Sequence, residues 1–219
     1  CLLSRGLGDV YKRQVDVVHK NGGVFIADEV QPGFARTGQA FFGFARHGIV
    51  PDMITMGKPM GNGIPISGLA AKEDVLAAFS DKLPYFNTFG GNPVSIAAAQ
   101  AVLKYIKDEN LQEHCKKAGT ALLKALKEVQ ERHPESVGDV RGAGLFLGFE
   151  FVKNDGNKTP DKDMALNVIE MLRDEHILTS VIGHYGNILK LRPPMVFSEN
   201  DIDWFATSLD KCITKLENK

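Results

Sequence analysis

Cysteine is scarce. There are three in 219 residues, Cys1, Cys115 and Cys212, an odd number with no C-x-x-C spacing. That argues against a disulfide framework and fits a reducing compartment, with the cytoplasm as the expected location. The six histidines form no H-x-x-x-H pair, so no metal centre is expected. Apolar runs are short, and none reaches the ~20 residues that a membrane-spanning helix needs. Charge of neither sign is in excess. The formal net charge is -1, so neither a nucleic acid nor an anionic membrane is the expected partner. What is there, 43% hydrophobic and 24% charged residues, suits an ordinary globular chain of one large domain or two small ones.

The opening, residues 1–14, has no initiator Met and too short an apolar stretch for a signal peptide. It resembles translated sequencing-adapter read-through, so it is read as a non-native leader and the organisation is followed from Val15.

Val15 to Asn21 reads as the tail of a helix that Gly22 and Gly23 stop. Val24 to Ala27 is a continuous apolar run ending in Asp28-Glu29, which suits a strand buried on both faces of a parallel sheet. Met53 to Met56, ending in Gly57-Lys58-Pro59, is a second such run, and Ile66 to Ala71 a third, followed by a helix from about Glu73. Asn92-Pro93 starts another helix, Asn as cap and Pro in the first turn, with Ala98, Ala101, Val102 and Tyr105 on one face. Leu111, Cys115, Ala118, Leu122, Leu126 and Val129 mark a longer helix that Pro134 ends. Gly144 to Val152 alternates like a strand. Residues 162–175 read as a helix, and Ile177–Val181 and Asn187–Leu191 as strands. Ile202, Phe205, Leu209, Ile213 and Leu216 mark a last helix capped by Ser198. The pattern divides near residue 112, into 15–111 and 112–219.

In open parallel sheets ligands bind beyond the carboxyl ends of the strands. Asp28 and Lys58 both fall at such ends. A lysine flanked by Gly57 and Pro59 after a buried strand can become a nucleophile toward an aldehyde. Taken alone, Lys58 reads as a strand-end lysine reaching solvent, and Asp28-Glu29 reads equally as a helix cap or surface pair.

Several motifs in order carry more weight than any one. Ile26-Ala-Asp-Glu-Val-Gln31 is followed by Gly33-Phe-Ala-Arg-Thr-Gly38, then Thr55-Met-Gly-Lys-Pro-Met-Gly-Asn-Gly63 and Phe86-Asn-Thr-Phe-Gly-Gly-Asn-Pro93. Arg141-Gly-Ala-Gly-Leu145 and the Pro193-Pro-Met195 turn complete the set. From Val15 to the C-terminus the chain resembles the class III aminotransferases. Within them it looks most like the branch of alanine–glyoxylate aminotransferases and ethanolamine-phosphate phospho-lyases.

The resemblance implies an α/β fold of the fold type I class: part of a large domain with a parallel-type sheet, then a small C-terminal α+β domain. It implies pyridoxal 5'-phosphate (PLP) as cofactor and a homodimer with shared active sites. By position, Asp28 pairs with the ring nitrogen, Val30 packs on the ring and Gln31 hydrogen-bonds its hydroxyl. Lys58 bonds the cofactor's aldehyde and then moves protons, and Thr88 reaches the phosphate of the neighbouring subunit's cofactor. Gly90, Gly91 and Arg141 read as structural, and the histidines as surface or satisfied core groups.

Two departures stand out. Ala35 falls where the family usually has glycine. Lys190 falls where an arginine usually grips the substrate α-carboxylate, with Arg192 two residues on and on the same strand face. Lysine is a point charge without arginine's fork, and Asn187-Ile-Leu-Lys-Leu-Arg-Pro-Pro-Met195 resembles the phospho-amine lyases. The family's glycine/serine-rich phosphate loop lies upstream of this segment. Three readings follow: a transaminase working between an amine or amino acid and a 2-oxo acid; a phospho-lyase acting on a phosphoethanolamine-like amine; and an inert fragment without its phosphate loop.

Overall fold

The computed structural model describes residues 8–218. These fall into two compact units that divide between Gln112 and Glu113.

In the first unit, helix α1 (Gly8–Lys20) begins inside the stretch set aside as a leader. It ends where Gly22 takes a left-handed φ of 73°. Strands β1 (Ile26–Asp28), β2 (Met53–Met56) and β3 (Gly68–Ala71) form a sheet in that order. β1 and β2 run parallel, pairing Ala27 with Ile54 and Asp28 with Thr55. β3 returns antiparallel, with Met56 opposite Gly68. The sheet is therefore mixed, because the short link between β2 and β3 holds no crossover helix, which a parallel return requires. Nor is β1 covered on both faces: Ala27 is buried, but Ile26 is 52% exposed. Ile26 and Leu69 stand on a face that no described helix covers.

Helix α2 (Glu73–Ser80) follows β3, and α3 (Pro93–Asp108) follows a loop. Asn92 caps α3, its side-chain oxygen accepting from the Ser95 backbone N–H at 3.0 Å. The buried stripe is Ser95, Ala99 and Ile106 rather than the face through Ala98, Ala101 and Tyr105. The run Ile96 to Ala99 is apolar all round, so periodicity alone selects no face there.

At the amino end of β2 the buried Asp52 carboxylate gathers three donors. Lys72 Nζ and His19 Nε2 each lie 2.7 Å away, and the Phe25 backbone N–H donates at 2.8 Å. The Lys72 ammonium, the Phe25 amide and His19 hold this carboxyl far below the usual carboxylate range.

In the second unit, helix α4 (Leu111–Arg132) packs on a sheet of β4 (Val137–Ala143), β5 (Phe146–Phe151), β6 (Ser180–Ile182) and β7 (Ile188–Leu191). Their spatial order is β4-β5-β7-β6, and every neighbour is antiparallel. Helices α5 (Lys162–Asp174) and α6 (Glu199–Glu217) complete it. Leu122, Leu126, Val129, Phe149, Phe151, Leu189, Leu209 and Ile213 share its core, each contributing about 1.5–3 kcal/mol on burial. Ser198 caps α6 reciprocally with Asp201. His133 is a satisfied core histidine, with Nδ1 2.7 Å from Glu217 and Nε2 3.1 Å from Asp210.

β4 was not foreseen, because Val137-Gly-Asp-Val-Arg-Gly-Ala143 carries two glycines and an aspartate, residues depleted in strands. β5 does not alternate: five of its six residues, all but Glu150, are buried. β6 starts later than Ile177. His176 is left-handed, φ 63°, and the Ile177 N–H donates to the Leu172 carbonyl at 2.8 Å, so those residues finish α5 instead.

Gly119 of α4 lies against the β4–β5 turn. A methyl built on it would come 2.2 Å from the Gly144 carbonyl carbon. Gly119→Ala is expected to cost about 3 kcal/mol or more, since backbone meets it rather than a yielding side chain; chemical denaturation measures this. Asp52 gives a second prediction. Its carboxyl is lowered on folding, so its contribution is complete above the ordinary aspartate range and fades as pH falls below it. Asp52→Asn should lower stability by about 1–3 kcal/mol at neutral pH. It should also flatten the acid limb of a Tm-against-pH curve below about pH 4.

Candidate functional site

The parallel pairing of β1 with β2 puts the carboxyl ends of both strands on one side of the sheet. Asp28 ends β1. Its Oδ1 accepts from the Val30 backbone N–H at 3.1 Å and lies 3.4 Å from the Thr55 hydroxyl on β2. Lys58 begins the 3-10 turn Lys58–Met60 just past the end of β2. It is exposed, and its φ of 41° is left-handed, a backbone state that non-glycine residues hold at a cost and that clusters at functional sites. A methyl built on Gly57, the residue before it, would meet Val30 Cγ2 at 3.9 Å. The Asp28–Val30 strand end and the Gly57–Lys58 turn are thus neighbours. Gln31, one residue further, is exposed.

This arrangement fits a pyridine cofactor bonded through an aldehyde. An exposed amine, a carboxylate braced on one oxygen, and a valine methyl beside the Gly57–Lys58 turn are the groups such a ring would use.

Glu29, next to Asp28, does different work. It is 2% exposed. Its oxygens accept from the Gly43 and Phe44 backbone N–H groups at 2.7 and 2.8 Å, capping the 3-10 turn Gly43–His47. Burial pushes its carboxyl above the usual range, against the pull of those two N–H groups. Ala35 is fully buried with φ 65°, so the substitution for glycine falls where the backbone favours glycine.

Thr88 lies in the exposed loop before α3. Asn87 shapes that loop, its side-chain oxygen accepting from the Phe89 and Gly90 N–H groups at 3.1 and 2.9 Å. No described contact joins Thr88 to Asp28 or Lys58. Sequence reasoning missed Thr55 and Glu29. Thr55 becomes visible only once the strand register is known.

In the second unit Lys190 and Arg192 border one cavity of about 510 Å³. Arg192 is committed to the main chain: Nη1 donates to the Leu147 and Leu191 carbonyls, both at 2.8 Å. Its Cζ stands 3.4 Å above the centre of the Phe146 ring. Arg141 is structural, paired with Asp139 and Glu150.

Residues 10–213 match the family model described as aminotransferase class-III. Among curated proteins, the chain is 43% identical to ethanolamine-phosphate phospho-lyase homolog 1 of Caenorhabditis elegans, over 94% of its own length and 44% of that protein's. It is 41% identical to the mitochondrial alanine–glyoxylate aminotransferase 2 homolog 2 of Arabidopsis thaliana, over 92% and 42%. Among solved structures, a phospholyase from Arthrobacter in complex with phosphoethanolamine superimposes with TM-score 0.89 at 38% identity, over 93% of this chain and 48% of that one. A transaminase from the marine bacterium Virgibacillus gives 0.89 at 31% identity, over 96% and 49%. The chain spans less than half the length of each of these relatives.

Removing the Glu29 side chain strands two backbone donors beside the site. Glu29→Ala is expected to cost on the order of 2–4 kcal/mol, read by thermal or denaturant unfolding. A change under about 1 kcal/mol would mean that the turn finds other acceptors.

Proposed function

Because this chain belongs to the class III aminotransferase family, whose chemistry uses pyridoxal 5'-phosphate, we propose that in the whole protein Lys58 is the lysine that bonds the cofactor and transfers protons. The observation that carries this is the β1–β2 register, which sets Asp28 and the Lys58 turn at one sheet end. When bound, the cofactor supplies an electron sink for the carbon that carries the substrate's amine. Asp28 would face the ring nitrogen as an anion, its other oxygen steadied by the Val30 N–H. Val30 would pack on the ring, Gln31 would meet the ring hydroxyl, and Thr88 would reach the phosphate site of a second copy in a homodimer. The Lys58 amine, released by the incoming substrate amine, would take the proton from the substrate carbon.

Two fates of that carbon separate the readings. Elimination of phosphate from a phosphoethanolamine-like amine is favoured by Lys190, a point charge where the family usually sets an arginine fork for an α-carboxylate. Arg192, two residues on, has Nη1 held by two main-chain carbonyls and its Cζ over the Phe146 ring. In this reaction the substrate C–H proton goes to Lys58 and the C–O bond to phosphate breaks, the phosphate leaving with the electron pair. Water then releases an aldehyde and ammonia. Transamination, the second reading, is favoured by the relatives named as transaminases. There Lys58 returns its proton to the cofactor side, and a 2-oxo acid takes up the amino group. A cytoplasmic setting is consistent with the two buried free thiols, Cys115 and Cys212.

The test uses the full-length parent protein with PLP. Wild type should show a visible absorbance band that Lys58→Ala lacks. Phosphate release from phosphoethanolamine with the band regained would establish the lyase. Lasting conversion of the band by L-alanine, reversed by a 2-oxo acid, would establish the transaminase. Absence of any Lys58-dependent band would overturn the cofactor assignment.

A further inference from the structure

Glycine follows asparagine at two places in the chain, Asn21-Gly22 and Asn62-Gly63. The pair has a chemistry of its own. The backbone nitrogen of the second residue can attack the side-chain carbonyl carbon of the first, and glycine has no Cβ to obstruct the approach. Asparagine is thermolabile for this reason. Both asparagines are exposed, so exposure does not separate them. Hydrogen bonding does.

At Asn21 both reacting groups are engaged. The side-chain amide donates to the Val17 carbonyl at 2.8 Å, and the Gly22 N–H donates to the His19 carbonyl at 3.0 Å. Both carbonyls belong to the last turns of α1, so the attack requires that helix end to come apart.

Asn62 stands in the turn that begins at Lys58. There the N–H groups of Met60, Gly61, Asn62 and Ile64 each donate to the carbonyl three residues back, at 3.1–3.4 Å. The Gly63 N–H is left out of this series. Neither it nor the Asn62 side chain has a hydrogen bond among the described residues. Gly61 anchors the turn: it is buried, and a methyl built on it would come 2.1 Å from the Ile64 carbonyl oxygen. Gly63 is the opposite case. Its φ is 107°, and a methyl built there would meet nothing within 4 Å. Asn62 itself is left-handed, with φ 46°, a state that non-glycine residues hold at a cost. The turn thus presents its reactive pair exposed, unbonded and with room to rearrange.

We propose that Asn62 is a site of spontaneous covalent modification, deamidation through the Gly63 nitrogen. That nitrogen gives up its proton and bonds to Asn62 Cγ. The Cγ–Nδ2 bond breaks, and the side-chain nitrogen leaves with the proton as ammonia, closing a cyclic imide. Water then opens the ring at either carbonyl. One opening gives aspartate. The other gives isoaspartate, whose backbone runs through the former side chain and is longer by a methylene. Only water is consumed, and no oxidation state changes. Either product sets a new negative charge four residues after Lys58, and isoaspartate also reshapes the turn on which Lys58 stands. The modification goes beyond the function proposed above and does not depend on it.

The test follows the 219-residue chain over time in native buffer and in denaturant, by proteolytic digestion and mass spectrometry of the peptides that hold Asn21 and Asn62. In native buffer Asn62 should convert to isoaspartate and aspartate about tenfold or more faster than Asn21, as the two hydrogen bonds at Asn21 imply. In denaturant, where those bonds are gone, the two should convert at similar rates. The Asn62 rate should rise with pH, because the attacking nitrogen must lose its proton. Asn62→Gln, which leaves the backbone unchanged and can close only a larger ring, should stop the conversion on the same timescale. Equal rates at the two asparagines in native buffer, or an intact Asn62, would overturn the proposal. So would a native preference for Asn62 that persists in denaturant, since sequence and not the turn would then set it. Aspartate without isoaspartate would replace the cyclic route with direct hydrolysis and would overturn it as well.

Discussion

Three residues of β1 pair in parallel with β2, and that pairing is the constraint on which the candidate cofactor site depends. Parallel strands carry their carboxyl ends to the same side, so an acid that closes one strand and an amine just past the other arrive together although thirty residues separate them. The same register sets the Thr55 hydroxyl beside Asp28. If the pairing slipped by one residue, Asp28 would lose Thr55 as its neighbour and every paired side chain would change face. At the opposite end of β2, the buried Asp52 ties α1, the approach to β1 and the start of α2 to one carboxylate, which pins the strand from which the Lys58 turn springs.

The second unit solves a different problem. Its antiparallel sheet is covered by long amphipathic helices and has a dense aliphatic and aromatic core, with several ion pairs at the rim. Against that background Arg192 and Lys190 separate, although the sequence makes them look alike. Two main-chain carbonyls and the face of Phe146 engage the arginine, whereas the lysine is held by its backbone. An arginine used this way orders the end of β7.

Much was legible from pattern alone. The helices α3, α4, α5 and α6 were readable because caps such as Asn92 and Ser198, stops such as Pro134, and the 3.6-residue apolar stripe of α4 act locally. β2 was readable because a short apolar run is bounded by glycine and proline. Other features were not. β4 hides behind its own glycines, of which Gly142 holds a φ of 140° against the Phe146 carbonyl. The buried face of α3 is hidden by an apolar run with no period, and the end of α5 by a left-handed histidine standing where glycine is usual.

The sequence by itself determined the family motifs, the residue types at Asp28 and Lys58, and most helices, since each is set by neighbours within a few positions along the chain. Only the tertiary structure decided that β3 runs antiparallel, that Glu29 is a cap while Asp28 is open, and that Arg192 is engaged while Lys190 is not. Those outcomes depend on which backbone donors and acceptors distant segments bring to a side chain. Spacing along a chain carries no record of that.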